Sequence, residues 1–584
     1  MTERRTSWTL DLGVLLGALV FFMALHPAPG ILWFDFSWIA YNLSPLPLTL
    51  AGLNEAIHWQ ASVHSSLLVR PARAIQWWLT VKAIGCSAFG YWAMNVASLS
   101  VAVWAITRVA VSLTGSRACG VVVGACLAVS YATVYAILFP AFGVAAACAF
   151  GGLLASLAAE RAGARQWAWQ SLALGLLLVA ALSHETFLAY VLLPLGHAFL
   201  VRRNRDAAVR ALLVLAIFPV FGLSRSLLAS VYGGVPTGAG QVWAVTRDAP
   251  GILIENSGRV AFATLTGGLP LDPLRALPVF PEFVRMRELI RSPAGLLVLA
   301  LVVAPTLVLV ALALHRSRGD REVQQRLAFC GLWLATGSLP LMLPVGTPEA
   351  FHLTGALPGL FLVWTEALGS GHRVGRGARV VAVLALAVWA GVHVTARWVL
   401  FHHDVPAMTR AVQALHRVLA RAQLEGVETR VLFFPAQIGA HYGLMPTVPA
   451  LYPGGAAGGR ACLRGDRPHG CLIEPIWVWS GLRPWPSLPG ACRASDGIRV
   501  GPFDAAMERE FEGSRRMLSH PATTLGKEED PRLLATCPLA ERDPLSLGGA
   551  RYALYLVDAP PGSRWYRFSL DGGPALVPIA ECGR

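Results

Sequence analysis

Tyr91-Trp-Ala-Met-Asn95-Val-Ala-Ser-Leu-Ser100-Val-Ala-Val-Trp-Ala105-Ile-Thr-Arg108-Val-Ala-Val-Ser-Leu113 carries a single charge, Arg108, near one end. A helix rises about 1.5 Å per residue and a hydrocarbon core is about 30 Å thick, so a run of this length crosses it. The stretch is typical of the chain. Of 584 residues, 55% are hydrophobic and only 14% charged, whereas soluble domains are about a quarter charged. Further runs of similar character lie at 8–25, 119–138, 142–159, 167–182, 187–201, 208–231, 294–314, 327–345, 353–368 and 380–400. Together they predict an α-helical polytopic membrane protein of about eleven crossings. The stretch 72–85, with Trp77 and Trp78, reads as a helix lying in the outer interface, where Trp belts concentrate. A twelfth crossing there is the alternative.

The net charge of +14 is almost entirely arginine, since Lys82 and Lys527 are the only lysines. It is not a nucleic-acid footprint, because much of it sits in alternate short connections. Arg108 and Arg117; Arg161 and Arg165; Arg202, Arg203, Arg205 and Arg210; Arg316, Arg318, Arg321 and Arg326; and Arg373, Arg376 and Arg379 form one set. The connections between them, near 139–141, 183–185 and 346–352, hold no Lys or Arg. The positive-inside rule then puts the N-terminus in the cytoplasm and the C-terminus outside. The run 8–25 can also be read as a signal peptide ending near Met23–Ala28, but it is long for that and reads better as an uncleaved anchor.

The transmembrane part, 1–400, has long outward segments at 28–71 and 232–293; the second contains an amphipathic stretch, 251–263, suited to the interface. Residues 401–584 differ in kind. Helical spacing at 404–420 and 506–518 and strand-like runs at 431–434, 551–557 and 565–570 predict a small α/β domain outside the membrane. Cys462, Cys471, Cys492, Cys537 and Cys582 lie there, in an oxidising place, so at most two disulfides and one thiol are expected, Cys462 with Cys471 first. The other five cysteines lie in or beside spans and read as small hydrophobes.

Candidate chemistry gathers at the outward ends. Ile31-Leu-Trp-Phe-Asp35-Phe-Ser-Trp-Ile-Ala-Tyr41 puts one carboxylate among aromatics just past the first span. A carboxylate at a membrane edge needs a partner or a task. Burial there raises its pKa, which suits a general base, while an N-cap of an interfacial helix is the structural alternative. Glu185 follows His184 at the outward end of another span, as a second acid near the site, a metal ligand, or a carboxylate favoured by a helix dipole. Arg70 and Arg259, on the two long outward segments, are candidates to hold a phosphate. No G-x-x-x-x-G-K, H-E-x-x-H or G-x-S-x-G occurs, so ATP-driven transport and metalloprotease chemistry of those classes are not supported.

Asp35, then Arg70-Pro71, Gly85, and Tyr91 with Asn95 on the next span resemble the GT-C superfamily of polytopic glycosyltransferases, most closely its O-mannosyltransferase-like branch with uncharacterised bacterial relatives. That branch has an aromatic-His pair where this chain has Tyr91-Trp92, and often two adjacent loop acids where Phe36 follows Asp35. Leu182-Ser-His184-Glu185 and the apolar run to Pro194 are similar to the family's Lys-Glu motif, with His184 in place of Lys. The resemblance covers roughly 8–231.

It implies a polyprenyl-phosphate-linked sugar as donor and an extracytoplasmic glycan, lipid or protein as acceptor, in a bacterial inner membrane. It also implies Asp35 and Glu185 as catalytic carboxylates, Asp35 as the base, with Arg70, His184, Tyr91 and Asn95 binding substrate; Arg259, by its place on the second outward segment, is a candidate for the same role as Arg70. A divalent cation is an open possibility. A lipid-linked glycan polymerase, ligase or flippase, and a non-catalytic assembly protein of the same fold, remain as alternatives.

Overall fold

The computed structural model describes residues 2–27, 43, 46–63, 70–85, 87–138, 142–232, 250–269, 293–342, 350–369, 375–404 and seven strands between 429 and 578. Among the described residues, six helical stretches are long and apolar enough to cross a membrane: Phe89–Thr114, Phe142–Ala159, Gly163–Ser183, Arg205–Leu228, Gly295–Ser317 and Arg376–His402. Thr9–Leu25, Arg117–Val129 and Leu357–Leu368 are shorter apolar helices. The chain is an α-helical protein of membrane type.

The centre of the bundle is the Ala88–Thr114, Phe142–Ala159 and Gln166–Ser183 helices packed side by side. Lipid tails are as apolar as leucine, so helices associate through close packing, which small residues permit. The Phe142–Ala159 helix is rich in Ala and Gly. A Cβ on Gly152 would sit 2.7 Å from Leu177 Cγ and 3.2 Å from its backbone nitrogen. That glycine lets the two backbones touch.

Several expected spans are not simple helices. The expected run 119–138 breaks at Ser130, after the Arg117–Val129 helix; a turn of 3-10 helix, Tyr131–Thr133, and a short helix, Val134–Leu138, follow. The break frees carbonyls in an apolar setting, which is tolerated only where other groups bond them. Arg397 does so, donating to the carbonyls of Ala128 and Ser130. The expected span 187–201 is a 3-10 segment, Glu185–Leu192, then the five-residue Leu193–His197 helix and one π-type turn, Ala198–Arg202. Pro194, which has no N–H to donate, stands at the switch. The expected run 327–345 is the Arg321–Met342 helix, and the amphipathic stretch at 251–263 lies within the Pro250–Leu265 helix.

The stretch expected at 72–85, with Trp77 and Trp78, is the Pro71–Ile84 helix. Both indoles are buried, in a small cluster with Leu43, Ala56, Val81 and Tyr91. Among the described residues, the exposed indoles are Trp167, Trp169 and Trp398, at helix ends where an aromatic belt belongs.

The strands form two sheets. β1 (Thr429–Phe433) pairs antiparallel with β3 (Trp477–Gly481) and parallel with β6 (Arg564–Ser569), and β6 pairs with β7 (Ala575–Pro578). β5 (Arg551–Val557) lies between β2 (Arg460–Arg464) and β4 (Arg532–Pro538), antiparallel to both. β1, β5 and β6 fall on the expected strand-like runs. The expected helix at 404–420, from 405 on, and the one at 506–518 lie outside the described residues. So does Cys471, and with it the Cys462–Cys471 pairing; Cys462 is in β2 and Cys537 in β4. Cys119, Cys126, Cys148 and Cys330 are free thiols within the helical part.

Candidate functional site

The site is built where Lys- and Arg-free connections converge. Ser183 ends one apolar helix and His184 turns the chain, with φ −156° and ψ 124°, into the 3-10 segment that Glu185 begins. The His184 ring lies 5.1 Å from the ring of His352, centroid to centroid, and 5.2 Å edge-on from Phe142. Three segments far apart in sequence therefore meet at one end of the bundle.

Arg70 reaches this point from the loop before Pro71. Its Nε donates to Glu185 Oε2 at 2.9 Å and its Nη2 to Oε1 at 2.6 Å. The fork-to-fork geometry is the strong form of an ion pair. Side-chain exposure is 12% for Arg70 and 28% for Glu185, so the pair is sheltered yet open to the surface on the acid's side. The backbone nitrogen of Arg70 donates to Gln60 Oε1 at 2.9 Å, tying the loop to the Leu50–Val63 helix. Arg73, one turn on, is buried with its guanidinium 4.3 Å from the Trp77 ring centroid.

Electrostatics sets the protonation states. Burial pushes the Glu185 carboxyl up, but the Arg70 guanidinium beside it wins and holds it well below the usual carboxylate range. Glu185 is thus an anion at neutral pH. Burial drives His184 far down, and His352 down to about 3, with Arg70 and Arg73 adding to the effect. Both imidazoles are neutral bases. His184 Nδ1 lies 2.8 Å from Thr186 Oγ1 and also accepts from the Thr186 backbone nitrogen at 3.4 Å, which orients the ring. The assembly is a held carboxylate, two cations and two neutral imidazoles, able to orient a hydroxyl and to meet an anion.

The expected site residues divide. Arg70, His184 and Glu185 are brought together. Tyr91 is buried with its hydroxyl donating to the Gly85 carbonyl at 2.9 Å, which holds the turn after the Pro71–Ile84 helix. Asn95 is fully buried and its Nδ2 donates to the Ile137 carbonyl at 2.8 Å. Both hydrogen bonds tie parts of the frame together. Arg259 is half-buried on the Pro250–Leu265 helix. Asp35 lies outside the described residues. Among the described residues, no group of three or more His, Cys, Asp or Glu side chains could hold a metal ion.

The chain matches no protein-family model and no curated protein.

A second polar cluster went unread in the sequence. Arg397, in the last apolar helix, is fully buried and donates from Nε to His26 Nε2 at 3.1 Å and from Nη1 to Ser130 O and Thr133 Oγ1, each at 3.1 Å. His393, one turn earlier, accepts at Nδ1 from the Tyr131 backbone nitrogen at 3.0 Å. Ser130 Oγ donates to Gly267 O at 3.0 Å. The two clusters share the 131–133 turn, because Thr354 Oγ1, beside His352, donates to Ala132 O at 3.3 Å. An arginine near the end of a span ordinarily reads as interfacial, so only its burial reveals it.

Proposed function

We propose that the chain is a membrane glycosyltransferase that moves a sugar from a polyprenyl-phosphate donor to an acceptor outside the cytoplasm. The observation that carries the reading is the bidentate Arg70–Glu185 pair beside the His184–His352 rings, at the end of the bundle where the short connections near 183–185 and 346–352 hold no Lys or Arg. Such a place offers an ionised carboxylate and cationic donors next to a membrane surface, which a lipid-phosphate sugar needs.

In this reading the acceptor hydroxyl oxygen attacks the anomeric carbon, the bond from that carbon to the phosphate oxygen breaks, and the lipid phosphate leaves with both bonding electrons. Asp35, from the aromatic outer loop, takes the hydroxyl proton. Glu185 is too firmly ionic to be the base; its remaining lone pairs orient the acceptor, and it fixes the Arg70 fork. Arg70 and Arg259 meet the leaving phosphate. Tyr91, Asn95 and His184 hold the walls. The protein crosses a bacterial inner membrane about eleven times, with N-terminus inside and the strand-bearing part, 401–584, outside. A divalent cation at the donor phosphate is left to experiment.

The pairing of Arg70 with Glu185 also favours a second reading, in which the pair is a structural pin in a non-catalytic assembly protein. Membranes holding the full chain, incubated with radiolabelled polyprenyl-phosphate sugars, separate the two. Wild type moves label to a new product and Asp35→Asn, at equal expression, does not. Failure of every donor with a complete acceptor extract would leave the pin reading standing.

A further inference from the structure

The guanidinium of Arg397 is buried with no anion beside it among the described residues. Every acceptor it meets is neutral: two carbonyls, the Thr133 hydroxyl and the His26 imidazole. His26 is held in one tautomer, because its Nδ1 lies 3.0 Å from the Phe22 carbonyl and so carries the proton, leaving Nε2 as the lone pair that Arg397 Nε uses. The remaining nitrogen, Nη2, is buried and has no hydrogen-bond partner among the described residues. Arginine keeps its proton in proteins, so the cluster carries one positive charge that nothing on the described chain balances. A charge taken out of water in this way is retained where a counter-ion is part of the working state.

The surroundings say what kind of anion. Arg397 sits where the ends of the first and last apolar helices meet, and both helices turn apolar side chains outward beside it. Leu16, Val20 and Met23 are exposed on one, Leu384 and Val388 on the other. Trp398, the next residue, is exposed and marks the headgroup level. Between Arg397 and that outer face lies an aromatic rim, with the Phe21 and Phe22 ring centroids 5.7 and 5.6 Å from the guanidinium carbon. Phe21 is half-buried, so its ring is both the cover of the cation and part of the lipid-facing surface. A free ion has to pass an apolar rim to reach Nη2. A phosphate carried on a lipid approaches it from headgroup depth as the half-buried Phe21 ring turns aside, while its chains lie along the exposed helix faces.

We infer that Arg397 Nη2 is the anchor of a binding site for a lipid-borne phosphate, formed between the ends of the Thr2–Leu25 and Arg376–Val399 helices. The site needs no transferase activity. A bilayer phosphodiester and a polyprenyl phosphomonoester share the chemistry, and either source satisfies the geometry.

The test uses the purified full chain in neutral detergent, titrated with phosphatidylglycerol, a polyprenyl monophosphate, inorganic phosphate, or diacylglycerol, with the thermal unfolding midpoint as readout. The two lipid phosphates raise the midpoint saturably, while diacylglycerol and inorganic phosphate do not. The tighter of the two lipids names the source. Arg397→Gln weakens lipid-phosphate affinity on the order of tenfold to a hundredfold, the effect of one charge-assisted bond, and Arg397→Lys restores part of it. If Arg397→Gln fails to fold, hydrogen exchange on the wild type decides: lipid phosphate slows exchange in 128–133 and 393–400. Diacylglycerol acting as well as the lipid phosphates, undiminished affinity in Arg397→Gln, inorganic phosphate binding equally tightly, or unchanged exchange in those segments would overturn the inference. Glu185→Gln leaves this binding intact even if sugar transfer is lost, so the two readings fail separately.

Discussion

Breaking the Arg70–Glu185 pair from either side perturbs the same two hydrogen bonds, at 2.9 and 2.6 Å. Hydrogen bonds to charged groups contribute about 1.5–3 kcal/mol each, and breaking a fully buried pair costs about 3–5 kcal/mol. Here the side chains are 12% and 28% exposed, so water recovers part of the loss. Glu185→Gln keeps one acceptor and Arg70→Gln keeps one donor. Each single change therefore costs about 2–3 kcal/mol, and the double change costs about 1–2 kcal/mol less than the sum of the two. Reversible unfolding in mixed micelles measures all four proteins.

The pH dependence has a definite sign. The folded Glu185 carboxyl is depressed below its unfolded value by Arg70, against the upward push of burial. Its contribution is complete above about 4.3, the ordinary carboxylate value, and is lost only as pH falls through the depressed one. The coupling should therefore be the same at pH 8 and pH 5.5. A coupling under about 0.5 kcal/mol, the ordinary error of additivity, would refute the geometry. A coupling that fades between those two pH values would refute the ionised carboxylate.

Other perturbations test the frame. His352 titrates near 6.5 when unfolded and near 3 when folded, so the unfolded chain binds the extra proton between them and stability falls as pH drops below 6.5. His352→Gln should flatten that slope while leaving stability at pH 8 little changed. Trp333 Nε1 lies 3.0 Å from both the Tyr190 hydroxyl and the Gly355 carbonyl, so Trp333→Phe should cost about 1–3 kcal/mol in the same unfolding measurement. A Cβ on Gly359 would lie 2.9 Å from the Cys330 carbonyl oxygen, whereas one on Gly391 would meet nothing within 4 Å. Gly359→Ala should lose about 1–3 kcal/mol and Gly391→Ala gain about 0.5–1 kcal/mol, in contrasting shifts of the unfolding midpoint.

The apolar runs were readable because a membrane demands them, and so were strands such as 551–557, where apolar and aromatic residues dominate. The interruptions were not. Ser130 inside an apolar run carries no breaking signal of its own; the partners that stabilise the break, Gly267 and Arg397, are 137 and 267 residues away. Trp77 and Trp78 read as belt indoles by type, whereas the cluster that buries them joins Leu43 and Ala56 from the preceding outer segment, which no local pattern links to them. At the site, Glu185 and Arg70 each drew notice as isolated charges near a membrane edge. Their union across 115 positions follows from the packing of the Pro71–Ile84 and Gln166–Ser183 helices, which no local pattern encodes.

The most direct test of the central claim is sugar transfer by the purified full chain in lipid nanodiscs, from a labelled polyprenyl-phosphate donor to an extracytoplasmic acceptor, with wild type compared with Glu185→Gln. The account predicts product from wild type and a loss of at least tenfold in turnover for the variant, with the donor still bound. Equal turnover in the two proteins would contradict it.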